Sequence, residues 1–166
     1  MTKVDIFSGF LGAGKTTLIR KLIEEAYGTD KIVLIENEFG EIGVDKGFLQ
    51  NTGIEINQMN AGCICCTLVG DFGKALNEGI EKYNPERILI EPSGVGKLSD
   101  VIIAVQDLKN DKIELNGFTT VVDATKAEMY MSNFGEFYEN QVEHASSIIL
   151  SHTAGMSQDD IDKCIA

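Results

Sequence analysis

Gly9-Phe10-Leu11-Gly12-Ala13-Gly14-Lys15-Thr16 is a complete G-x-x-x-x-G-K-[ST] stretch, and its setting decides the fold. Lys3 to Ser8, just before it, reads as a strand. Lys15 to Tyr27, just after it, places Leu18, Ile19, Leu22, Ile23 and Ala26 on one helical face, with Gly28 as a stop signal. Strand, glycine turn and helix in that order predict a phosphate cradle. Gly9, Leu11, Gly12, Ala13 and Gly14 supply a backbone that wraps closely, so that N–H groups meet phosphate oxygens at a positively polarised helix start. Lys15 is expected to reach the β- and γ-phosphates, the Thr16 hydroxyl to ligate Mg2+, and Thr17 to bond the α-phosphate.

Outward from the cradle the chain keeps alternating strands with helices. Lys31 to Glu36 is a second strand, and Ile54 to Met59 alternates apolar and polar residues as an edge or hairpin strand does. A helix is expected over about 67–83, a buried strand over Arg87 to Glu91, and a helix to about Leu108 with Ser99 as N-cap. Phe118 to Asp123 reads as a strand. Residues 124–145 read as helical in parts with a break at Asn133 to Gly135. Ser147 to Leu150 is the last strand, and Ser157 opens an acidic helix. The predicted fold is α/β: a three-layer P-loop NTPase domain with a mostly parallel central sheet, occupying residues 1–166.

Three further stretches carry chemistry. Ile88-Leu89-Ile90-Glu91 is an apolar strand ending in a carboxylate, where nucleotide-hydrolysing proteins hold the Mg2+ water shell, and Gly94 lets the following loop approach the γ-phosphate. Glu36-Asn37-Glu38-Phe39-Gly40-Glu41-Ile42-Gly43-Val44-Asp45 is dense in carboxylates and reads as metal ligands, a water-positioning acid, or a solvated charge run. Gly62-Cys63-Ile64-Cys65-Cys66 crowds three thiols. Thiolates suit Zn2+, Cu+ and Co2+, and three of them leave one tetrahedral position open. Buried inert cysteines are the alternative; a redox pair fits less well, because C-x-C and C-C are not C-x-x-C.

Composition narrows the class. The 166 residues are 43% hydrophobic, which excludes general disorder. Fourteen basic against 26 acidic residues give a net charge of −12. Such a surface repels nucleic-acid backbones and anionic lipid, and concentrates small cations. Of the four cysteines, Cys63, Cys65 and Cys66 lie too close together for ordinary disulfide geometry, and Cys164 stands alone. That pattern belongs to a reducing compartment. With no run of 18 apolar residues and no secretory h-region after Met1, the cytoplasm is the expected location. His144 and His152 read as packed or surface residues, and Cys164 as an incidental thiol.

The stretches 9–17, 36–41, 62–66 and Glu91-Pro92-Ser93-Gly94 occur together and in this order. The combination resembles the CobW-type P-loop GTPases, relatives of the urease and hydrogenase nickel-insertion GTPases. The resemblance implies a metallochaperone of low turnover that uses Mg2+ with GTP, ATP being admissible, and delivers zinc or another transition metal to a client metalloprotein. It implies catalytic roles for Lys15, Asp45 and Glu91, with Asp45 as the switch aspartate near Mg2+ and the attacking water. It makes Cys63, Cys65 and Cys66 the transferred-metal site, with Glu36 and Glu41 as nearby candidate ligands. A homodimer is left open.

Two departures from the family pattern qualify this. Where the family shows Asn-Lys-x-Asp, after Gln141-Val142-Glu143-His144-Ala145 and the strand 147–150, this chain has Ser151-His152-Thr153-Ala154. The carboxylate that reads guanine N1 and N2 is missing at Ala154, so weak base discrimination is expected. The family also carries more sheet and a C-terminal domain, so a nucleotide domain alone is expected here. The competing functions are a regulatory nucleotide module without useful turnover, an ATP-using activator with the cysteines on an Fe–S cluster, and a plain metal buffer.

Overall fold

The computed structural model describes residues 1–10, 12–27, 30–36, 55–58, 68–92 and 96–166. Six strands form one sheet in the order β3-β2-β4-β1-β5-β6, and every pairing among the described residues is parallel. The strands are β1 (Thr2–Ser8), β2 (Ile32–Glu36), β3 (Glu55–Gln58), β4 (Arg87–Glu91), β5 (Ile113–Asp123) and β6 (Ser147–Ser151). The helices are α1 (Lys15–Glu25), α2 (Leu68–Tyr83), α3 (Leu98–Asp107), α4 (Ala127–Asn133), α5 (Gly135–Glu143) and α6 (Gln158–Ile165).

β1, β2 and β4 are apolar on both faces because both faces are covered there. Val4, Ile6, Val33, Ile35, Ile88 and Ile90 face one way and pack on Leu76 and Ile80 of α2 and on Leu98, Val101, Ala104 and Val105 of α3. The alternate residues Phe7, Ile32, Leu34 and Leu89 face the other way, onto Ile19 and Ile23 of α1. Parallel register aligns the two sets, with Val4 beside Ile88 and Ile88 beside Val33. Three layers follow from a period of two read across three neighbouring strands.

Asp5 is the polar exception inside β1 and is buried. Its carboxylate accepts hydrogen bonds from the Arg87 guanidinium and, at 2.7 Å, from Asn116 Nδ2. β5 pairs with the whole of β1, from Ile113 to Thr120, and the register slips between Val4 and Asp5. The slip is a bulge at Asn116, which frees that side chain to reach Asp5. Gly117 beside it leaves room, since a Cβ there would lie 3.1 Å from Asp5 Oδ1. The strand expected from Phe118 onward therefore starts five residues earlier, held by a tertiary contact.

Of the remaining expectations for strands and helices, the Ser99 cap is corrected and the others hold. β3 joins β2 as a parallel edge strand and forms no hairpin with it. α3 begins at Leu98 with Lys97 as N-cap, so Ser99 sits inside the first turn and caps nothing. The break between α4 and α5 falls at Phe134, and Ser157 does cap α6, its hydroxyl accepting from Asp160 N–H. At the far edge, β6 leaves Ile148 and Ile149 exposed. No helix of the described residues is long and apolar enough to cross a membrane.

Candidate functional site

The carboxyl ends of parallel strands converge on one edge of the sheet, where open α/β folds bind ligands. Ser8, Glu36, Glu91, Asp123 and Ser151 all end their strands there, and register sets Glu36 beside Glu91 and Asp123 beside Ser151. The phosphate cradle leaves β1, the strand between β4 and β5, and runs directly into α1.

The cradle has the backbone its glycines permit. Gly9, Gly12 and Gly14 have φ of 147°, 77° and 102°. At Gly9 the close approach is to protein: a Cβ would sit 2.5 Å from the Val121 carbonyl oxygen of β5. Gly14 is the N-cap of α1, which has no side-chain cap and no acid in its first turn. A helix N-terminus whose backbone N–H groups have no side-chain cap suits an anion. Lys15 is buried and its ammonium donates to the Gly9 carbonyl at 2.5 Å, inside the turn that it serves. Phe10 anchors the turn from below, its ring packed 4.8, 5.3 and 5.4 Å from the rings of Tyr130, Phe134 and Tyr138.

The Thr16 hydroxyl donates to Glu91 Oε1 at 3.0 Å, across a sequence separation of 75 residues. Glu91 is buried at the end of β4. A hydroxyl and a carboxylate are hard oxygen donors, few in number and side by side, a pair that fits Mg2+ beside substrate phosphates. Two of the three residues expected to serve that ion thus lie side by side; the third, Asp45, falls outside the described residues.

Two residues of the cradle wall were not expected. His152 lies in the left-handed region at φ 55° and its Nε2 is 2.9 Å from the Gly12 carbonyl oxygen. That contact requires the proton on Nε2. The same nitrogen lies 3.8 Å from Asp123 Oδ2. Asp123 is buried, and its other oxygen accepts from Thr125 N–H at 3.0 Å and from the Thr125 hydroxyl at 2.6 Å. Val121-Val122-Asp123 shows the same signal that marked Glu91, an apolar strand ending in an acid, and could have been found by it. For His152 no local signal exists.

The structure brings together Gly9, Gly12, Ala13, Gly14, Lys15, Thr16, Thr17 and Glu91. Leu11, Gly94, Glu41, Asp45, Cys63, Cys65 and Cys66 lie outside the described residues, as does the side chain of Glu36. Cys164 lies on α6 as a free thiol.

The model of the CobW/HypB/UreG nucleotide-binding domain matches residues 3–166. A Sinorhizobium protein named zinc chaperone CobW is 41% identical over 128 residues, 72% of this chain and 36% of the relative. The Escherichia coli zinc chaperone YjiA is 33% identical over 157 residues, 90% of this chain and 49% of the relative. The chain therefore spans between about a third and a half of the curated relatives that it matches. A Zn(II)-bound triple mutant of the YjiA GTPase superimposes with a TM-score of 0.69 at 27% identity, covering 98% of this chain and 54% of that one. The hydrogenase maturation factor HypB of Archaeoglobus fulgidus, at 20% identity and a TM-score of 0.64 over 98% of this chain and 74% of its own, shares the fold.

Proposed function

The chain belongs to the CobW/HypB/UreG nucleotide-binding domain family, and on that footing we propose that it binds a nucleoside triphosphate with Mg2+, hydrolyses it slowly, and uses the cycle to load and release a transition metal, zinc first, for a client metalloprotein. The observation that carries the nucleotide half is the junction of the uncapped α1 start with the Thr16–Glu91 pair. Backbone N–H groups there receive phosphate oxygens. Thr16 and Glu91 are the residues that would hold Mg2+, whose charge would offset that of the phosphates. Lys15 adds a cation, and Gly94 and Asp45 act at the γ-phosphate and the attacking water.

The metal half rests on the Cys63, Cys65 and Cys66 cluster, with Glu36 and Glu41 as oxygen ligands, and on the zinc chaperones among the relatives. Glu36 closes β2 in register with Glu91 of β4, so the strand that leads to the acidic loop ends beside the Mg2+ acid. Nucleotide state then biases the metal site through that strand end.

Phosphate release by the wild type against Lys15→Ala tests hydrolysis; equal rates would overturn it. Zn2+ affinity with a non-hydrolysable triphosphate and then with the diphosphate tests the coupling, and equal values would remove it. A base-tolerant version of the reading is favoured by one feature: Ala154 carries no carboxylate for guanine. Competition of GTP with ATP decides it, and a preference for GTP beyond about a hundredfold would exclude it.

A further inference from the structure

Helix α5 carries two polar residues that the site has not yet used. Gln141 is 1% exposed. Its Nε2 donates to the Gly96 carbonyl at 2.9 Å, and its main-chain carbonyl accepts from the Thr120 hydroxyl at 2.6 Å. A buried amide is costly unless satisfied, and an apolar side chain of that size would fill the same space without the cost. What an apolar side chain cannot do is hold a carbonyl in place.

Its neighbour Asn140 makes a reciprocal pair with Ser99. Ser99 N–H donates to Asn140 Oδ1 at 3.1 Å, and Asn140 Nδ2 donates to the Ser99 hydroxyl at 2.9 Å. α3 has no side-chain cap of its own at Lys97, so α5 supplies one from another part of the chain. One turn earlier, Glu136 pairs with Lys97. Three residues on α5 thus grip Gly96, Lys97 and Ser99, the segment that follows Glu91-Pro92 in the chain.

The same helix also touches the phosphate loop. Tyr138, buried on α5, packs its ring against Phe10. One helix of nine residues, Gly135–Glu143, therefore sets the spacing between the phosphate loop and the segment leaving β4. A rigid spacer between these two segments matters, because both must act on one triphosphate, the first on its shared phosphates and the second on the γ-phosphate alone.

We propose that Gln141, supported by Asn140, is a positioning residue that holds the segment at Gly96–Ser99 in the arrangement favouring triphosphate over diphosphate. This rests on the nucleotide reading above and adds to it the means by which the γ-phosphate is told apart. Gln141→Met keeps length and bulk and removes the donor.

Three measurements on the full chain test it. In Gln141→Met, affinity for the diphosphate with Mg2+ should stay within about twofold of wild type. Affinity for a non-hydrolysable triphosphate should fall about tenfold, the scale of one unsatisfied buried carbonyl. Amide hydrogen exchange at Lys97 and Ser99, without nucleotide, should rise about tenfold. Asn140→Ala, at a half-exposed site that tolerates truncation, should repeat the pattern more weakly and serves if Gln141→Met does not fold. A merely structural residue would weaken both nucleotides alike, and that result, or unchanged exchange at 97–99, overturns the proposal. A wild type that binds neither nucleotide overturns the nucleotide reading, and the exchange measurement still judges the clamp.

Discussion

His152 Nε2 stands 2.9 Å from the carbonyl oxygen of Gly12, so the turn after the last strand is fastened to the phosphate loop. The residue adopts a left-handed backbone that a side chain resists by roughly 1–2 kcal/mol. His152→Gly should relieve that strain while losing one exposed hydrogen bond of similar size, leaving Tm nearly unchanged. Nucleotide affinity, followed with a fluorescent analogue, should nevertheless fall about fivefold. His152→Gln, which keeps an N–H donor, should recover part of it. A fall in Tm without a fall in affinity would make the contact purely structural.

Thr16 and Glu91 are predicted to act as one unit on Mg2+. Glu91→Gln keeps an acceptor for the Thr16 hydroxyl at the same length and removes the charge. Nucleotide binding in EDTA should be unchanged or slightly tighter, while the gain on adding Mg2+ should shrink and turnover should drop by about a hundredfold or more. Retained Mg2+ dependence would move the ion elsewhere.

Asp5 is predicted to be the costliest charge in the sheet to remove. Asp5→Ala leaves the Arg87 guanidinium, whose side chain is 12% exposed, without its buried partner, and should cost about 3 kcal/mol in urea unfolding. The second Arg87 partner, Asp30 at 3.3 Å, is 35% exposed, and Asp30→Ala should cost about 0.5 kcal/mol. Equal costs would mean that burial does not separate the two pairs.

Alkaline stability should report on Tyr138. Burial first, and then the nearby Cys164, Asp123 and Tyr130 groups, push its phenol from 10.0 up to about 12. The folded state then holds the proton more tightly than the unfolded chain. The resulting stability is complete below pH 10 and is lost as pH rises towards about 12. Tyr138→Phe removes the titrating group and keeps the ring against Phe10. Its Tm should fall less steeply between pH 10 and pH 12 than that of the wild type. Parallel curves would assign the alkaline loss to other groups.

Sequence alone disclosed whatever depends on local rules. Lys15, Thr16 and Glu91 were legible because motif, strand pattern and helix start are adjacent in the chain, and the three layers were legible because alternate apolar residues in β1, β2 and β4 demand two covered faces. Asp123 also ends an apolar strand as Glu91 does, but no motif stands beside it in the chain. The early part of β5 escaped notice because Asn116-Gly117 interrupts its pattern for the sake of Asp5, more than a hundred residues away. Gln141 was visible only as part of a helix. Its burial against Gly96 depends on how α5 lies over the segment leaving β4, and no periodicity within nine residues reveals that. His152 reads as a packed or surface residue and is exposed in the fold; its bond to Gly12, 140 positions distant, has no local signal.

The clash at Gly9 bears on how such chains diverge. A methyl group there would meet the backbone of β5 before it met any nucleotide. Selection to keep this glycine would thus persist in a descendant that had abandoned nucleotides, so long as the sheet stayed intact. Among the letters of the motif, the first glycine is therefore a poor witness to a working site. Lys15 and Thr16, whose ammonium and hydroxyl are the groups proposed to meet phosphate and Mg2+, are the letters whose erosion would date the loss.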